Sequence, residues 1–293
     1  RGKHAVGAVE HEFHVGAVGH HGDDARRLSR DVGRCGCPRG ACGDQIVDGA
    51  LIWDTTEIDL DADDSMEQQV ALPGTCTVGY NSLRFDDEFI RFLHYRNFYD
   101  AYEWQWQDGK SRWDLLDVVR TAYALRPEGI TWPTKPDGSA SFKLTDLTAA
   151  NGLAHEAAHD ALSDVRATIA LARRIKAAQP KLFDFCLGLR KKEGVAAELG
   201  LPTTPDRARP FLHISGMFAT ERGCLALMWP LASHPSNKNE LIAWDLAYDP
   251  RPLATLSAAE IRQRLFTRTA DLPEGVTRLP VKTVHLNKSP MVM

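Results

Sequence analysis

Only the part of this 293-residue chain that follows residue 70 places apolar residues at the spacings a packed fold needs. Residues 1–70 hold 7 Lys and Arg against 14 Asp and Glu, with five of the eleven histidines and two aromatics, Phe13 and Trp53. In this segment only Ala50-Leu-Ile-Trp53 has the look of a short strand. It is expected to be a poorly folded leader, and its Gly, Ala, Arg, His and Asp bias is that of a GC-rich gene translated out of frame. Cys35-Gly-Cys37 and Cys42 lack the fourth ligand of a structural zinc site. Asp59-Leu-Asp-Ala-Asp-Asp64 is expected to be a solvated acidic run.

The division changes what the net charge means. The whole chain sums to −4, which argues weakly against a nucleic-acid partner, yet residues 71–293 carry 28 basic against 25 acidic side chains. The recognisable body is therefore slightly basic. No run approaches the roughly 18 apolar residues of a membrane helix. Six cysteines in this length do not make a disulfide scaffold, which points to a reducing cytoplasm.

From about Pro73 the pattern is that of a folded α/β protein. Cys76–Tyr80 reads as a buried strand, followed by a helix over 87–97 with Phe89, Ile90, Leu93 and Phe98 at helical spacing. Ser111 stands as an N-cap with Asp114 three residues on, opening a helix to Leu125 with Leu115, Val118, Val119 and Ala122 on one face. Arg126-Pro-Glu-Gly129 stops it. Further helices are expected over 144–150, 158–178 and 181–199. After Pro202-Thr-Thr-Pro205 the segments 211–214, 225–229 and 241–244 are strand-like, with one helix over 258–265.

Two acidic motifs carry chemistry. Asp86-Asp-Glu88 follows a strand and opens a helix, where acids also suit the helix dipole. In His159-Asp160-Ala-Leu-Ser-Asp164 the two aspartates are four apart and share a helical face. Each alone suits a capped helix. Together, carboxylates that hold hard Mg²⁺ and a histidine that takes a proton from water suit metal-assisted phosphodiester hydrolysis.

Longer phrases sharpen this. Gly79-Tyr-Asn-Ser-Leu-Arg-Phe-Asp-Asp-Glu88, Tyr95-Arg-Asn-Phe-Tyr-Asp100, Ser111-Arg-Trp-Asp-Leu-Leu-Asp117 and Tyr123-Ala-Leu-Arg-Pro-Glu-Gly129 strongly resemble the bacterial exodeoxyribonuclease I family. So do Leu147–Gly152, His159–Asp164, His213-Ile-Ser-Gly-Met-Phe218 and Val284-His-Leu-Asn-Lys288. The resemblance covers about residues 73–293. It implies a ribonuclease H-like exonuclease domain of the DEDDh superfamily over 73–201, incomplete at its N-terminus, and a β-rich SH3-like domain over 202–293. Residues 1–72 fall outside it.

The resemblance further implies 3′→5′ hydrolysis of single-stranded DNA to 5′-mononucleotides, in DNA repair and recombination, by a monomer with two Mg²⁺ ions and no membrane partner. His159 would be the general base, with Asp86 and Asp164 as metal ligands. Arg91, Tyr102, Trp106, Arg120, Phe142 and Lys143 would meet the strand, cations on phosphates and aromatics on bases. Trp106 and Phe142 suit a core equally well. Arg126 would meet the acidic tail of single-stranded-DNA-binding protein.

The family's first motif, a D-x-E on an early strand, has no counterpart here. Asp54-Thr-Thr-Glu57 has the wrong spacing and lies too close to Asp86, and Glu10-His-Glu12 begins with Glu. The family's terminal helical domain is also missing from the pattern. The chain is therefore expected to be a fragment with crippled catalysis. The alternatives are a non-catalytic single-stranded nucleic-acid binder and a DEDDh relative acting on RNA.

Overall fold

The computed structural model describes residues 13–15, 46–47, 50–52, 73–155, 161–204 and 206–293. They form two compact units, one of residues 1–116 with 128–180 and one of residues 117–127 with 181–293.

The first unit holds a five-stranded sheet in the order β2-β3-β1-β4-β5. Its strands are β1 (Phe13–Val15), β2 (Ile46–Val47), β3 (Ala50–Ile52), β4 (Cys76–Gly79) and β5 (Ser111–Asp114). Strand β1 runs parallel to β3 and β4, and β4 runs parallel to β5 with Cys76 opposite Ser111 and Gly79 opposite Asp114. The strand expected over 50–53 is present over Ala50–Ile52, whereas β1 and β2 were not expected.

Two expectations are corrected here. Ser111 does not cap a helix: Ser111–Asp114 is a strand buried along its whole length, as a strand covered on both faces should be. The following helix α2 begins at Leu115, and Asp114 caps it, its Oδ1 accepting from the Leu116 amide at 3.0 Å. Helix α1 spans Asp86–Arg96, close to the expected range, but Phe89 and Phe98 are exposed and Phe98 lies beyond its end. The buried residues of α1 are Asp86 and Asp87, so the helix is anchored through its acidic first turn and not through an apolar stripe.

Helix α2 (Leu115–Leu125) buries Leu115, Val118, Val119 and Ala122 as expected. Helices α3 (Leu144–Ala150) and α4 (Ala161–Ala178) contribute Leu147, Val165, Leu171 and Ile175 to the core of the first unit. Gly129, in the segment that stops α2, has a left-handed φ of 80°, and a Cβ there would lie 2.9 Å from the Ala178 Cβ. Glycine satisfies both demands.

The second unit contains the antiparallel sheet β10-β6-β7-β8-β9. Its strands are β6 (Phe211–Ile214), β7 (Leu225–Ser233), β8 (Glu240–Asp245), β9 (Val281–His285) and β10 (Met291–Val292). Phe211, Ile214, Met228, Leu241, Trp244 and Met291 form its core. Pro230 lies within β7, where it cannot donate to the ladder, and the register with β8 shifts between Pro230 and Ala232. Helices α5 (Pro180–Gly188), α6 (Lys192–Glu198), α7 (Pro252–Thr255) and α8 (Ala258–Phe266) complete the unit. Helix α8 starts with a capping box between Ser257 and Glu260. Strands β9 and β10 and helix α7 had no clear sequence signal.

Candidate functional site

Strands β4 and β5 end side by side, and the chain leaving β4 turns at Asn81, whose φ of 64° is one that asparagine tolerates. Asp114 at the end of β5 fixes that turn: its carboxylate accepts from the amides of Asn81 at 2.8 Å and Leu83 at 3.3 Å, besides Leu116. A short 3-10 turn, Ser82–Arg84, then delivers the chain to α1. Asp86 and Asp87 thus arrive buried at the carboxyl ends of two parallel strands, the usual place for ligands in open α/β sheets.

The three carboxylates differ in what already holds them. Asp114 is taken up by backbone amides. Asp87 forms a buried ion pair with Arg112 and lies 3.9 Å from Arg91. Asp86 keeps a buried Oδ1 with no hydrogen-bond partner among the described residues. Burial, with Asp87 and Asp114 adding negative charge, pushes its carboxyl up to about 7. A buried carboxylate oxygen that no protein donor meets suits a cation.

Asp164 lies in the first turn of α4 and is already in contact with a histidine. His155 Nε2 is 2.6 Å from Asp164 Oδ1, and His155 Nδ1 is 3.1 Å from the Thr148 hydroxyl. His155 was not among the expected site residues. Its signal was present as a second histidine four residues before His159, on the same approach to Asp164. His159 and Asp160 lie outside the described residues. Among the described residues no group of three or more His, Cys, Asp or Glu is placed to hold a metal ion. Asp86 therefore fits a metal by its unmet oxygen, but the described residues do not complete a two-metal site.

The expected strand contacts fall into three places. Arg91, one turn into α1, bonds Glu88 and Gln105 and stands 5.3 Å from the centre of the Tyr102 ring. Tyr102 is exposed, and Trp106 is 65% exposed while its neighbour Trp104 is 4% exposed. The core alternative for this segment thus belongs to Trp104. Phe142 is half-buried and its carbonyl accepts from the Tyr80 hydroxyl at 2.6 Å. Lys143 is exposed and lines a cleft of about 610 Å³ with Lys135, Ser141 and Asp146. Arg120 and Arg126 belong to the second unit. Arg120 pairs with Asp117 at 2.6 Å, and its guanidinium occupies the space a Cβ on Gly216 would need. Arg126 is exposed and donates to the Leu125 carbonyl at 2.6 Å.

Comparison with known proteins finds two family models on separate stretches of the chain. Residues 60–172 match the family described as Exonuclease, and residues 190–293 match the Exonuclease I SH3-like domain. Exodeoxyribonuclease I of Escherichia coli K12 is 50% identical over 221 residues, which is 75% of this chain and 46% of that protein. Among solved structures, E. coli exonuclease I in complex with a dA16 oligonucleotide superposes with a TM-score of 0.72 at 48% identity, over 78% of this chain and 47% of that one. An exonuclease I/SSB-Ct complex gives 0.71 at 47% identity, over 78% and 48%. The chain spans about half the length of the relatives it matches.

Proposed function

Because residues 60–172 and 190–293 place the chain in the exodeoxyribonuclease I family, we propose that it engages the 3′ end of single-stranded DNA but hydrolyses it poorly. In this reading the parent activity is 3′→5′ release of 5′-mononucleotides, serving DNA repair and recombination in the bacterial cytoplasm. The observation that carries it is Asp86, buried at a strand end with an oxygen that no described protein donor meets.

Mg²⁺ in a pair is what the family implies, with Asp86 and Asp164 as ligands and His159 as the base. The metals would supply an activated water and a stabilised leaving oxygen. Without a D-x-E motif this ligand set is short by two carboxylates, and no hydrolytic step is assigned to it. What remains is strand binding: Arg91, Arg120 and Lys143 neutralise phosphates, while Tyr102, Trp106 and Phe142 stack on bases without selecting sequence. The E. coli relative is known in complex with oligonucleotides and the family with an SSB-Ct segment. Arg126, exposed and cationic, is proposed to meet such an acidic tail on this chain, which acts as a monomer.

The division follows the phrases, with residues 73–201 as the nuclease part and 202–293 as the SH3-like part; the shifted reading frame is proposed only for the stretch before residue 60, where the Exonuclease match begins. An intact frame through the junction in the genomic DNA would exclude the shift.

The deciding experiment is incubation with a 3′-labelled oligonucleotide and Mg²⁺. The expected result is salt-sensitive binding of DNA with little mononucleotide release. Robust release that Asp164→Ala abolishes would overturn the claim of crippled catalysis. Absence of any binding would overturn the strand reading. A preference for RNA over DNA would reassign the substrate within the superfamily.

A further inference from the structure

Phe98 combines two properties that packing does not explain. It terminates α1 in the left-handed region, with φ 64°, a position glycine normally fills because a side chain is strained there. The residue is 98% exposed. The backbone bonds that end the helix, Tyr99 N to His94 O at 3.0 Å and Phe98 N to Tyr95 O at 3.3 Å, need no phenyl group. Strain of this kind persists at functional positions.

Phe98 also has company. Phe92 is 61% and Tyr95 74% exposed, and Tyr99, Tyr102 and Trp106 are exposed as well. Exposed aromatics that recur through residues 92–106 are what an interaction surface offers. The charges interleaved with it favour one occupant. Glu88 is engaged by Arg91, and the Asp100 carboxylate accepts from the amides of Tyr102 at 2.7 Å and Glu103 at 3.0 Å. Arg96 is exposed and makes no ion pair among the described residues. Exposed aromatics interleaved with a cation are the chemistry of sequence-tolerant single-strand binding, and their continuity in the chain with Tyr102 and Trp106, proposed above to meet the strand, favours DNA over a protein partner.

We propose that Phe98, together with Tyr95, is a base-stacking platform that extends the single-strand-binding face beyond Tyr102 and Trp106. The proposal rests on the reading that single-stranded DNA is the ligand. It goes beyond that reading by assigning a binding role to a strained, exposed residue at the end of α1.

The test uses the full chain with fluorescently labelled oligo-dT in EDTA, so that binding is read by anisotropy without hydrolysis, and thermal melting in parallel. Phe98→Gly is expected to weaken binding by about 5- to 30-fold, with the melting temperature unchanged or raised by about 2 °C because glycine relieves the strain. Phe98→Trp is expected to bind at least as tightly as the parent. Phe98→Gly binding like the parent overturns the proposal while leaving the strand reading intact. Failure of the parent chain itself to bind overturns both. Lost binding accompanied by a lower melting temperature assigns Phe98 a structural role and overturns the proposal. So does a change in sedimentation on mutation with DNA binding unaltered, which makes the patch a self-association surface.

Discussion

His155 Nε2 lies 2.6 Å from Asp164 Oδ1, so the carboxylate assigned to metal binding is already held by a side chain of the segment that precedes α4. The His155 side chain is 5% exposed and its other nitrogen faces the Thr148 hydroxyl on α3. The histidine thereby links two helices and fixes the direction of the Asp164 carboxylate. His155→Ala is expected to lower unfolding free energy by about 1–3 kcal/mol, since it removes a nearly buried hydrogen-bond partner from a charged group. A double-mutant cycle with Asp164→Ala should give a coupling of about 0.5–3 kcal/mol in urea denaturation. Additive effects would show that the contact contributes nothing.

Asp86 makes an opposite kind of prediction. Its folded carboxyl is pushed up to about 7, while in the unfolded chain it titrates near 4. Between those values the unfolded chain has already released the proton that the folded chain retains. This group therefore lowers stability progressively as pH rises from about 4 to about 7, and the full penalty is present above that. Asp86→Asn should be more stable than the parent at pH 8, by on the order of 2–4 kcal/mol, and the gap should close near pH 4. Urea midpoints across that range measure it. A neutral effect at pH 8 would mean that Asp86 is solvated or partnered.

Ser111 and Asp114 separate a sequence pattern from its structural meaning. The Ser-x-x-Asp spacing before an apolar run has the form of a helix start, and the helix that follows was legible from Leu115, Val118, Val119 and Ala122. What the spacing does not contain is the neighbouring strand: pairing with Cys76–Gly79 makes Ser111–Asp114 extended and moves the cap to Asp114. Ser111→Ala is then expected to be neutral or slightly stabilising, because Ser111 Oγ is buried without a hydrogen-bond partner among the described residues. An N-cap would lose about 1 kcal/mol. Asp114→Ala should cost on the order of 3 kcal/mol, since three amides lose their acceptor.

The same distinction runs through the rest of the chain. Helices with a continuous apolar face, such as 161–178, could be read from periodicity, because Val165, Ile169 and Leu171 recur at core spacing. Strands β9 and β10 could not, since their stability comes from partners far away in sequence, Val281–His285 on Glu240–Asp245 and Met291 opposite Ile214. Among the candidate residues, Asp86 and Asp164 were singled out by motif phrases. His155 was not, because its role depends on α3 presenting Thr148 beside it. Exposure was equally hidden: nothing in Glu103-Trp-Gln-Trp106 says which tryptophan is buried until the 3-10 turn Glu103–Gln105 turns Trp104 inward.

His213 should govern acid sensitivity in the second unit. It lies on β6, buried, with Nδ1 3.0 Å from the Met291 carbonyl of β10, to which it donates. Burial is the largest influence and lowers its pKa to about 4; the nearby Lys282 adds to this, and the Met291 bond opposes it. The unfolded histidine titrates near 6.5. Its contribution is thus fully present above about pH 6.5 and is lost as pH falls toward 4, because only the unfolded chain takes up the proton in that window. The loss amounts to on the order of 3 kcal/mol. His213→Asn keeps a donor for Met291 but cannot titrate, so it should lose less stability than the parent between pH 6.5 and 4. Denaturation curves at pH 7 and pH 4.5 make the comparison, and an unchanged acid slope in the variant would exclude His213 as its source.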